Sequence, residues 1–346
     1  MGIGIGVITG SALKSISYQA KDGQLILPNW LSFKEISLSS IFQFKANQPK
    51  INQKKLALPP SGPQREISAL SRKWKLLSNK EKDLKVSAFL LSIDDNEFAE
   101  LFPNAVLPAA SSIKIPILLA TLQMLDAGNL RWDEPLPLSQ DVIGGGSGWM
   151  AYQKIGKSFP VHEVATEMIR VSDNTATNLL IKRIGGIQIL NEYFKTYGLP
   201  STEIKNLLPD LEGTNTTSAK DLAKTIAIAD KGNLLSQRAR DLFREVMSTS
   251  KTNQLLPGGL LQGLGGDPRK GNIDYQLLIK GYRVYNKTGD IGIAYADAGL
   301  IQMPNNKRAV AGFIVKGPFN DPRSPEIIRR MAAAMVPILK PKPYIK

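Results

Sequence analysis

The sequence predicts an α+β domain in which an antiparallel sheet, formed from both ends of the domain, packs with a mostly helical middle. Lys85–Ile93 and Glu97–Phe102 have the composition of strands and flank a polar turn, which indicates a hairpin. Helical periodicity dominates the middle of the chain. Strand-like alternation then returns in Tyr282–Asn286, Ala294–Gln302 and Ala309–Val315.

The helices are predicted from apolar spacing together with capping residues and glycines at their ends. Ser324-Pro325-Glu326 is predicted to cap a final helix that runs to about Leu339. The Gly-rich stretch 257–274 is predicted to be an insertion loop. The other predicted helices are roughly Ile67–Leu77, Ser111–Ala127, Val161–Val171, Thr175–Ile184, Ser218–Ala229 and Ser236–Met247.

Residues 1–66 are predicted to be an apolar N-terminal end followed by an extended linker, and residues 67–346 to form the domain. Met1–Leu13 is small and apolar but too short to span a bilayer. Two interpretations of it remain open: the end of a membrane tether whose start lies upstream, or a disordered apolar end. The linker finishes on the Pro-rich run Leu58–Pro63.

Composition narrows the chemistry. The chain has no cysteine and one histidine, His162, which excludes disulfides, thiolate catalysis and a multi-histidine metal site. His162 is predicted to belong to the start of its helix, so a hydrolase built from this sequence takes its base from lysine, carboxylate or hydroxyl groups. We predict no metal and no other cofactor.

The formal net charge is +14, but no zinc-finger or RRM signature accompanies it, and we predict no nucleic-acid partner. A basic surface equally suits an anionic cell-envelope polymer or a membrane surface. The oligomeric state stays open.

The first motif that carries chemistry is Ser111-Ser112-Ile113-Lys114, of the form S-x-x-K. Positions three apart lie on one face of a helix, so the Ser111 hydroxyl and the Lys114 amine can meet. A partly buried lysine near other cations can lose its proton and act as a base. The pattern also occurs at Ser11 and Ser248, so alone it is weakly specific.

Two further motifs follow in order, Ser172-Asp173-Asn174 between two helices and Lys287-Thr288-Gly289 at the end of a strand. In isolation the first is better explained as a helix cap and the second as an ordinary turn. Each tripeptide is expected well below once in a chain of this length, so the three motifs in this order and placement are jointly specific.

This combination resembles the class A β-lactamases and the penicillin-binding proteins, whose active sites use these motifs. The resemblance runs from about Ile67 to the C-terminus and is close in Met168–Leu180. It implies a β-lactamase/transpeptidase-like fold and a serine acyl-enzyme hydrolase. The implied partner is a peptidoglycan peptide or a β-lactam, and the implied location is the periplasm or cell envelope.

The resemblance also implies roles for individual residues. Ser111 is the nucleophile, Lys114 its base, and Ser172, helped by Lys287, relays a proton to the leaving group. The backbone N–H groups of Ser111 and Asp290 form the oxyanion hole. The residues implied to bind substrate are Asn174, Thr288, Gly289 and Asp290.

One departure separates the alternatives. Class A β-lactamases carry a glutamate in their omega loop that activates the deacylating water, and Leu208 takes its place here. This resembles the cyanobacterial low-mass penicillin-binding proteins, which implies a D-alanyl-D-alanine peptidase. A different register would bring Glu212 or Glu203 into the site and favour a β-lactamase. A non-catalytic penicillin-sensing domain is the third alternative, and the intact Ser-Lys-Ser-Lys set argues against it.

Overall fold

The computed structural model describes residues 65–340, which fold as a mixed α+β domain. The strands are, in chain order, β1 (Arg65–Glu66), β2 (Lys85–Ser92), β3 (Glu97–Leu101), β4 (Leu107–Pro108), β5 (Pro135–Pro137), β6 (Ser158–Pro160), β7 (Thr216–Thr217), β8 (Arg283–Asp290), β9 (Ala294–Gln302) and β10 (Arg308–Lys316). The α-helices are α1 (Ser68–Ser78), α2 (Lys114–Asp126), α3 (Val161–Arg170), α4 (Asn174–Ile184), α5 (Ile187–Thr196), α6 (Ala219–Lys231), α7 (Gln237–Ser248), α8 (Leu256–Gly263), α9 (Ile273–Ile279), α10 (Arg323–Ala334) and α11 (Val336–Leu339).

The main sheet has six strands in the order β1-β3-β2-β10-β9-β8. Strand β2 pairs antiparallel with β10 from Lys85 opposite Lys316 to Ser92 opposite Ala309, which joins the two ends of the domain. The predicted antiparallel sheet is therefore confirmed, with one small difference. The two-residue strand β1 adds to β3 in parallel.

Both faces of the sheet are buried, so the domain has two cores. Along β10, Val310 and Ile314 belong to the core shared with the helical middle, whereas Phe313 belongs to the core under α1 and α10. Phe313 meets Trp74 of α1 edge to face, with ring centroids 5.6 Å apart. Each large apolar side chain fully buried in this way contributes roughly 1.5–3 kcal/mol. Helix α2 lies in the first core and is buried along almost its whole length.

The prediction of an insertion loop over 257–274 is wrong at both ends, where α8 and α9 lie, and the loop is confined to 264–272. The glycines there serve helix packing. A Cβ on Gly259 would lie 2.3 Å from the carbonyl oxygen of Arg329, and one on Gly263 would lie 2.7 Å from that of Ala333. Both carbonyls belong to α10, so small residues let α8 approach its backbone.

Three smaller differences concern individual helices and strands. The final helix begins at Arg323 rather than after a Ser324 cap, and it divides into α10 and α11. Helix α5 lies in a stretch for which no helix was predicted. Strand β8 continues to Asp290, so the third motif lies within the strand. The other predicted helices and strands match the structure within a few residues, whereas the short strands β4 to β7 were not predicted.

The apolar end and nearly all of the predicted linker lie outside the described residues. Within residues 65–340 no helix combines the length and the apolar character needed to cross a bilayer.

The packing of α8 generates a prediction with a matched control. Gly259→Ala should lower the free energy of unfolding by roughly 1–3 kcal/mol, the usual cost of overpacking, because its methyl group meets backbone that cannot move alone. Gly258→Ala meets nothing closer than 3.5 Å and should be neutral or stabilising, since alanine favours helix. Urea unfolding of both variants measures the difference. Equal stabilities would contradict the close helix contact.

Candidate active site

The Ser111 hydroxyl lies beside the Lys114 amine, with 3.0 Å between Oγ and Nζ. Ser111 does not open the α-helix as predicted. It lies in a short 3-10 helix, Ala110–Ile113, and α2 begins at Lys114. The tighter turn still brings positions three apart onto one face. The adjacent Ser112 hydroxyl donates instead to the carbonyl of Ala109 at 2.6 Å.

The Lys114 amine is fully buried and has four oxygen atoms around it. Its Nζ lies 2.6 Å from the carbonyl oxygen and 2.9 Å from the Oγ of Ser172, 2.9 Å from Oδ1 of Asn174, and within reach of Ser111. An ammonium has only three N–H groups and no acceptor. A neutral amine also makes three hydrogen bonds, since it can donate to the two carbonyl-type oxygens and accept from a serine hydroxyl, so these contacts are compatible with it.

The electrostatics agree with a neutral amine. Burial lowers the pKa of Lys114 well below its ordinary value, the positive charge of Lys287 lowers it further, and the charge of Asp173 opposes both. Desolvation penalises the charged form of a lysine, so the buried position of Lys114 favours the uncharged amine.

The loop Ser172-Asp173-Asn174 serves as cap and site together. Asp173 caps α4 by accepting from the N–H of Ala176 at 2.9 Å, and its other oxygen accepts from the N–H of Trp149 at 2.7 Å. Ser172 has a φ of +60°, an uncommon conformation for a residue other than glycine. This geometry brings Ser172 and Asn174 to Lys114 on either side of the cap.

Strand β8 forms the opposite wall of the site. A Cβ on Gly289 would lie 2.8 Å from the backbone nitrogen of Ser111, so only glycine allows the strand to approach the 3-10 helix this closely. The Nζ of Lys287 donates to the carbonyl of Thr288 at 2.7 Å. Gly289 thus allows β8 to lie against the 3-10 helix and does not form a turn.

These elements surround a cleft of about 260 Å³. Of the residues that the sequence singled out, Lys114 and Gly289 lie behind its surface. The others line it directly: Ser111, Ser172, Asn174, Lys287, Thr288 and Asp290. The structure therefore brings all eight to one place.

The loop that contains Leu208 closes one side of the cleft. Leu208 lines it and is only 5% exposed. Its backbone N–H donates to Oδ1 of Asn178 at 2.9 Å, and its carbonyl accepts from Nδ2 of the same residue at 2.7 Å. Glu203 and Glu212 do not line the cleft, and the Glu203 carboxylate lies 3.5 Å from the Lys205 amine. The alternative register is therefore not the one adopted.

Sequence reasoning missed Asp297, a fully buried carboxylate of β9. It pairs across the strands with Thr288 and accepts from Nδ2 of Asn286 at 2.9 Å and from the N–H of Leu256 at 2.8 Å. The signal was a charged residue within the apolar alternation of β9. Thr252, Asp210 and Ile291 also line the cleft and were missed, since they lie in loops without a motif.

Burial shifts the pKa values of the Lys287 and Asp297 pair in opposite directions. It lowers the pKa of Lys287 to about 8, against the charge of Asp297, which raises it. It raises the pKa of Asp297 to about 7, against its hydrogen bonds and the charge of Lys287. Each charge offsets part of the desolvation of the other.

Residues 65–339 match the beta-lactamase enzyme family. The chain belongs to this family. Among curated members it is 28% identical to a beta-lactamase of Rhodobacter capsulatus over 144 residues, which span 40% of this chain and only 48% of that protein. It is 22% identical over 249 residues to beta-lactamase VEB-1 of Pseudomonas aeruginosa, covering 66% of this chain and 76% of that protein. The family and fold identify a serine hydrolase.

Among solved structures, PBP-A is 38% identical, with a TM-score of 0.73 over 80% of this chain and 98% of PBP-A. A leucine-to-glutamate mutant of PBP-A is described as an acyl-enzyme complex with penicillin-G. The beta-lactamase of Francisella tularensis, 24% identical with a TM-score of 0.66 over 78% of this chain and 98% of its own, shares the fold. The resemblance inferred from the motifs is thus confirmed at the level of the family.

The Lys287 and Asp297 pair generates a prediction about pH. Asp297→Asn removes the negative charge that raises the Lys287 pKa, so this pKa should fall below about 8 and the amine should become neutral at lower pH. Titration of the lysine ε-methylene signals by NMR measures the shift. Asp221→Asn, which removes a buried carboxylate at the start of α6, is the control and should leave Lys287 unchanged. An unaltered Lys287 titration in Asp297→Asn would show that the two groups do not interact.

Proposed function

We propose that this family member is a penicillin-binding D-alanyl-D-alanine peptidase that acts on peptidoglycan stem peptides through an acyl-enzyme on Ser111. The observation that carries the choice of peptidase is Leu208. An apolar side chain occupies the loop that closes the cleft, and it cannot polarise a water molecule for attack on a penicilloyl ester.

In the proposed acylation, the neutral Lys114 amine accepts the proton of Ser111 as Oγ attacks the substrate carbonyl. The contact of 3.0 Å between these atoms supports direct transfer. The backbone N–H groups of Ser111 and Asp290 stabilise the oxyanion, and such donors typically contribute about 2.7–4 kcal/mol each. The close approach at Gly289 supports this pairing of the strand with the 3-10 helix.

The proposed leaving-group step uses the other half of the cleft. The proton on Lys114 passes through the Ser172 hydroxyl, 2.9 Å away, to the departing amine. Lys287 and Thr288 receive the terminal carboxylate of the substrate, and Asn174 holds the acyl amide. A cationic strand end suits a carboxylate, since a charged partner strengthens each hydrogen bond.

The proposed peptidase is slow to release penicillins. Asp210 is a carboxylate that lines the same wall of the cleft, but its oxygens accept from Thr214 and Asn215 at 2.7–3.1 Å. It is therefore committed to holding its own loop. A β-lactamase is the second candidate, favoured by the curated relatives of that name, and Asp210 is the residue that would have to activate water.

We also propose that the protein works in the periplasm or cell envelope, because a stem-peptide substrate lies there. A chain without cysteine folds in an oxidising compartment as well as in a reducing one. The net charge of +14 suits an anionic envelope polymer. The division into a terminal segment over 1–66 and a domain over 67–346, and a tether formed by the first residues, remain part of this proposal.

The nucleophile is tested by labelling. A fluorescent penicillin should attach covalently to the wild-type protein at Ser111, located by peptide mass mapping, and Ser111→Ala should abolish attachment. Ser112→Ala is the matched control, because this neighbouring hydroxyl bonds to Ala109 and should be dispensable. Label at another residue, or none at saturating penicillin, would refute the acyl-enzyme proposal.

Leu208 is tested by the lifetime of the adduct. The wild-type penicilloyl adduct should persist for minutes or longer, and Leu208→Glu should release it faster by supplying a base. A well-placed general base contributes roughly 10²–10⁴-fold, and the gain should be smaller because this loop is not shaped for one. Leu207→Glu introduces the same charge outside the cleft and should change nothing. Brisk penicillin turnover by the wild-type protein would instead favour the β-lactamase.

A further inference from the structure

The cleft is lined by charged side chains of both signs. Among the residues that line it, the only basic side chain is Lys287, whereas Asp210 and Asp290 are acidic. An excess of acidic side chains around a substrate is unusual in a chain of net charge +14. The proposed function places the terminal carboxylate at Lys287, which leaves the carboxylates of the cleft to the acyl donor.

We infer that the cleft selects acyl donors that carry a cationic group on an apolar arm, and that the Asp290 carboxylate recognises this group. The inference rests on the proposed function and adds a substrate class to it. It follows from the position, the freedom and the neighbours of this side chain.

The position of Asp290 follows from the pleat of β8. Side chains two apart on a strand point to the same face, about 7 Å from one another. Thr288 and Asp290 both line the cleft, so the Asp290 side chain lies beyond the proposed carboxylate contact of Thr288 along the strand. Since the backbone N–H of Asp290 is the proposed oxyanion contact, its side chain is close to the scissile carbonyl, and the proposed recognition assigns it to the donor side.

The Asp290 carboxylate is also held in one orientation, and its negative charge has no ion-pair partner among residues 65–340. Its Oδ1 accepts from the N–H of Gly292 at 2.8 Å, which holds the carboxylate in place at the turn. The side chain is exposed, and within residues 65–340 no basic group lies close enough to form an ion pair with it. Asp210 differs, since its oxygens are occupied by its own loop. The charge of Asp290 reaches its surroundings, where with Asp321 it raises the pKa of the Tyr295 hydroxyl, a change caused first by burial.

The neighbours of Asp290 supply the apolar half of the recognition. Ile291 and Leu211 line the cleft beside it, and Leu211 is 68% exposed, an unusual position for an isolated leucine. A Cβ on the nearby Gly213 would lie 2.9 Å from Pro108 and 3.2 Å from Ile291, so a glycine is needed where these loops pass close together. An arm of methylene or aryl groups would cover these side chains and place an ammonium at Asp290.

The experiment compares penicillins that share one nucleus and differ at the α-carbon of the side chain. Penicillin G carries hydrogen there, ampicillin an ammonium and carbenicillin a carboxylate. Second-order acylation rate constants of Ser111 are measured at low ionic strength and at a pH that keeps ampicillin protonated. The wild-type protein should prefer ampicillin to carbenicillin on the order of tenfold, the size of about 1.4 kcal/mol for a charge contact at a partly screened site.

The variants assign the preference to one side chain. Asp290→Asn should bring the ampicillin-to-carbenicillin ratio close to one, and Asp290→Lys should reverse it. Asp321→Asn changes the net charge equally from a position outside the cleft, and should keep the wild-type ratio. The ratio is internal to each protein, so a general loss of activity in a variant does not affect it.

The outcomes separate the inference from the proposed function. Failure of all three penicillins to label Ser111 would refute the proposed function itself. Normal labelling with equal rates for ampicillin and carbenicillin would overturn only the inference. A wild-type preference that persists in Asp290→Asn would overturn it too, because another group would then be responsible.

Discussion

The burial of the Lys114 amine is the constraint on which the site depends. Removing an ammonium from water costs several kcal/mol even after the protein relaxes, so a lysine in this position either pairs with a carboxylate or loses its proton. No carboxylate is hydrogen-bonded to it among residues 65–340, and the oxygens of Ser111, Ser172 and Asn174 surround it instead. The apolar length of α2 holds the amine at this point, and the loop before α4 supplies most of its partners.

Close backbone contacts give the site its shape, and glycines make them possible. Gly289 brings β8 against the 3-10 helix of Ser111, and Gly148 leaves room for the Asp173 carboxylate, which a Cβ would meet at 2.1 Å. Gly144 leaves room for the loop that contains Leu208, because a Cβ there would lie 2.3 Å from the carbonyl oxygen of Leu208. The position of Leu208 in the cleft is thus set by Gly144 together with Asn178.

The sequence was sufficient for the sheet, most helices and the grouping of the three motifs, because each rests on local periodicity or on an uncommon tripeptide. It failed where a residue type has two physical uses. Glycine permits turns and also close helix packing, so α8 was taken for a loop. The loop Ser172-Asp173-Asn174 also has two uses, but here its place among the three motifs indicated the site: Asp173 caps α4 while its neighbours approach Lys114. Asp297 was missed because its importance comes from its neighbour across the sheet, which a single strand does not reveal.

Three buried ionisable groups at the cleft affect one another's pKa values in succession. Asp297 raises the pKa of Lys287 against burial, and the positive charge of Lys287 in turn lowers the pKa of Lys114. The pKa values of the two lysines in this site are therefore separated. Lys114 is favoured as a neutral amine, whereas Lys287, with a pKa of about 8, is mostly charged near neutral pH. Environments that separate like groups in this way distinguish an acceptor of protons from a cation that binds and orients. Asp297, which does not line the cleft, thus helps to keep the Lys114 amine uncharged.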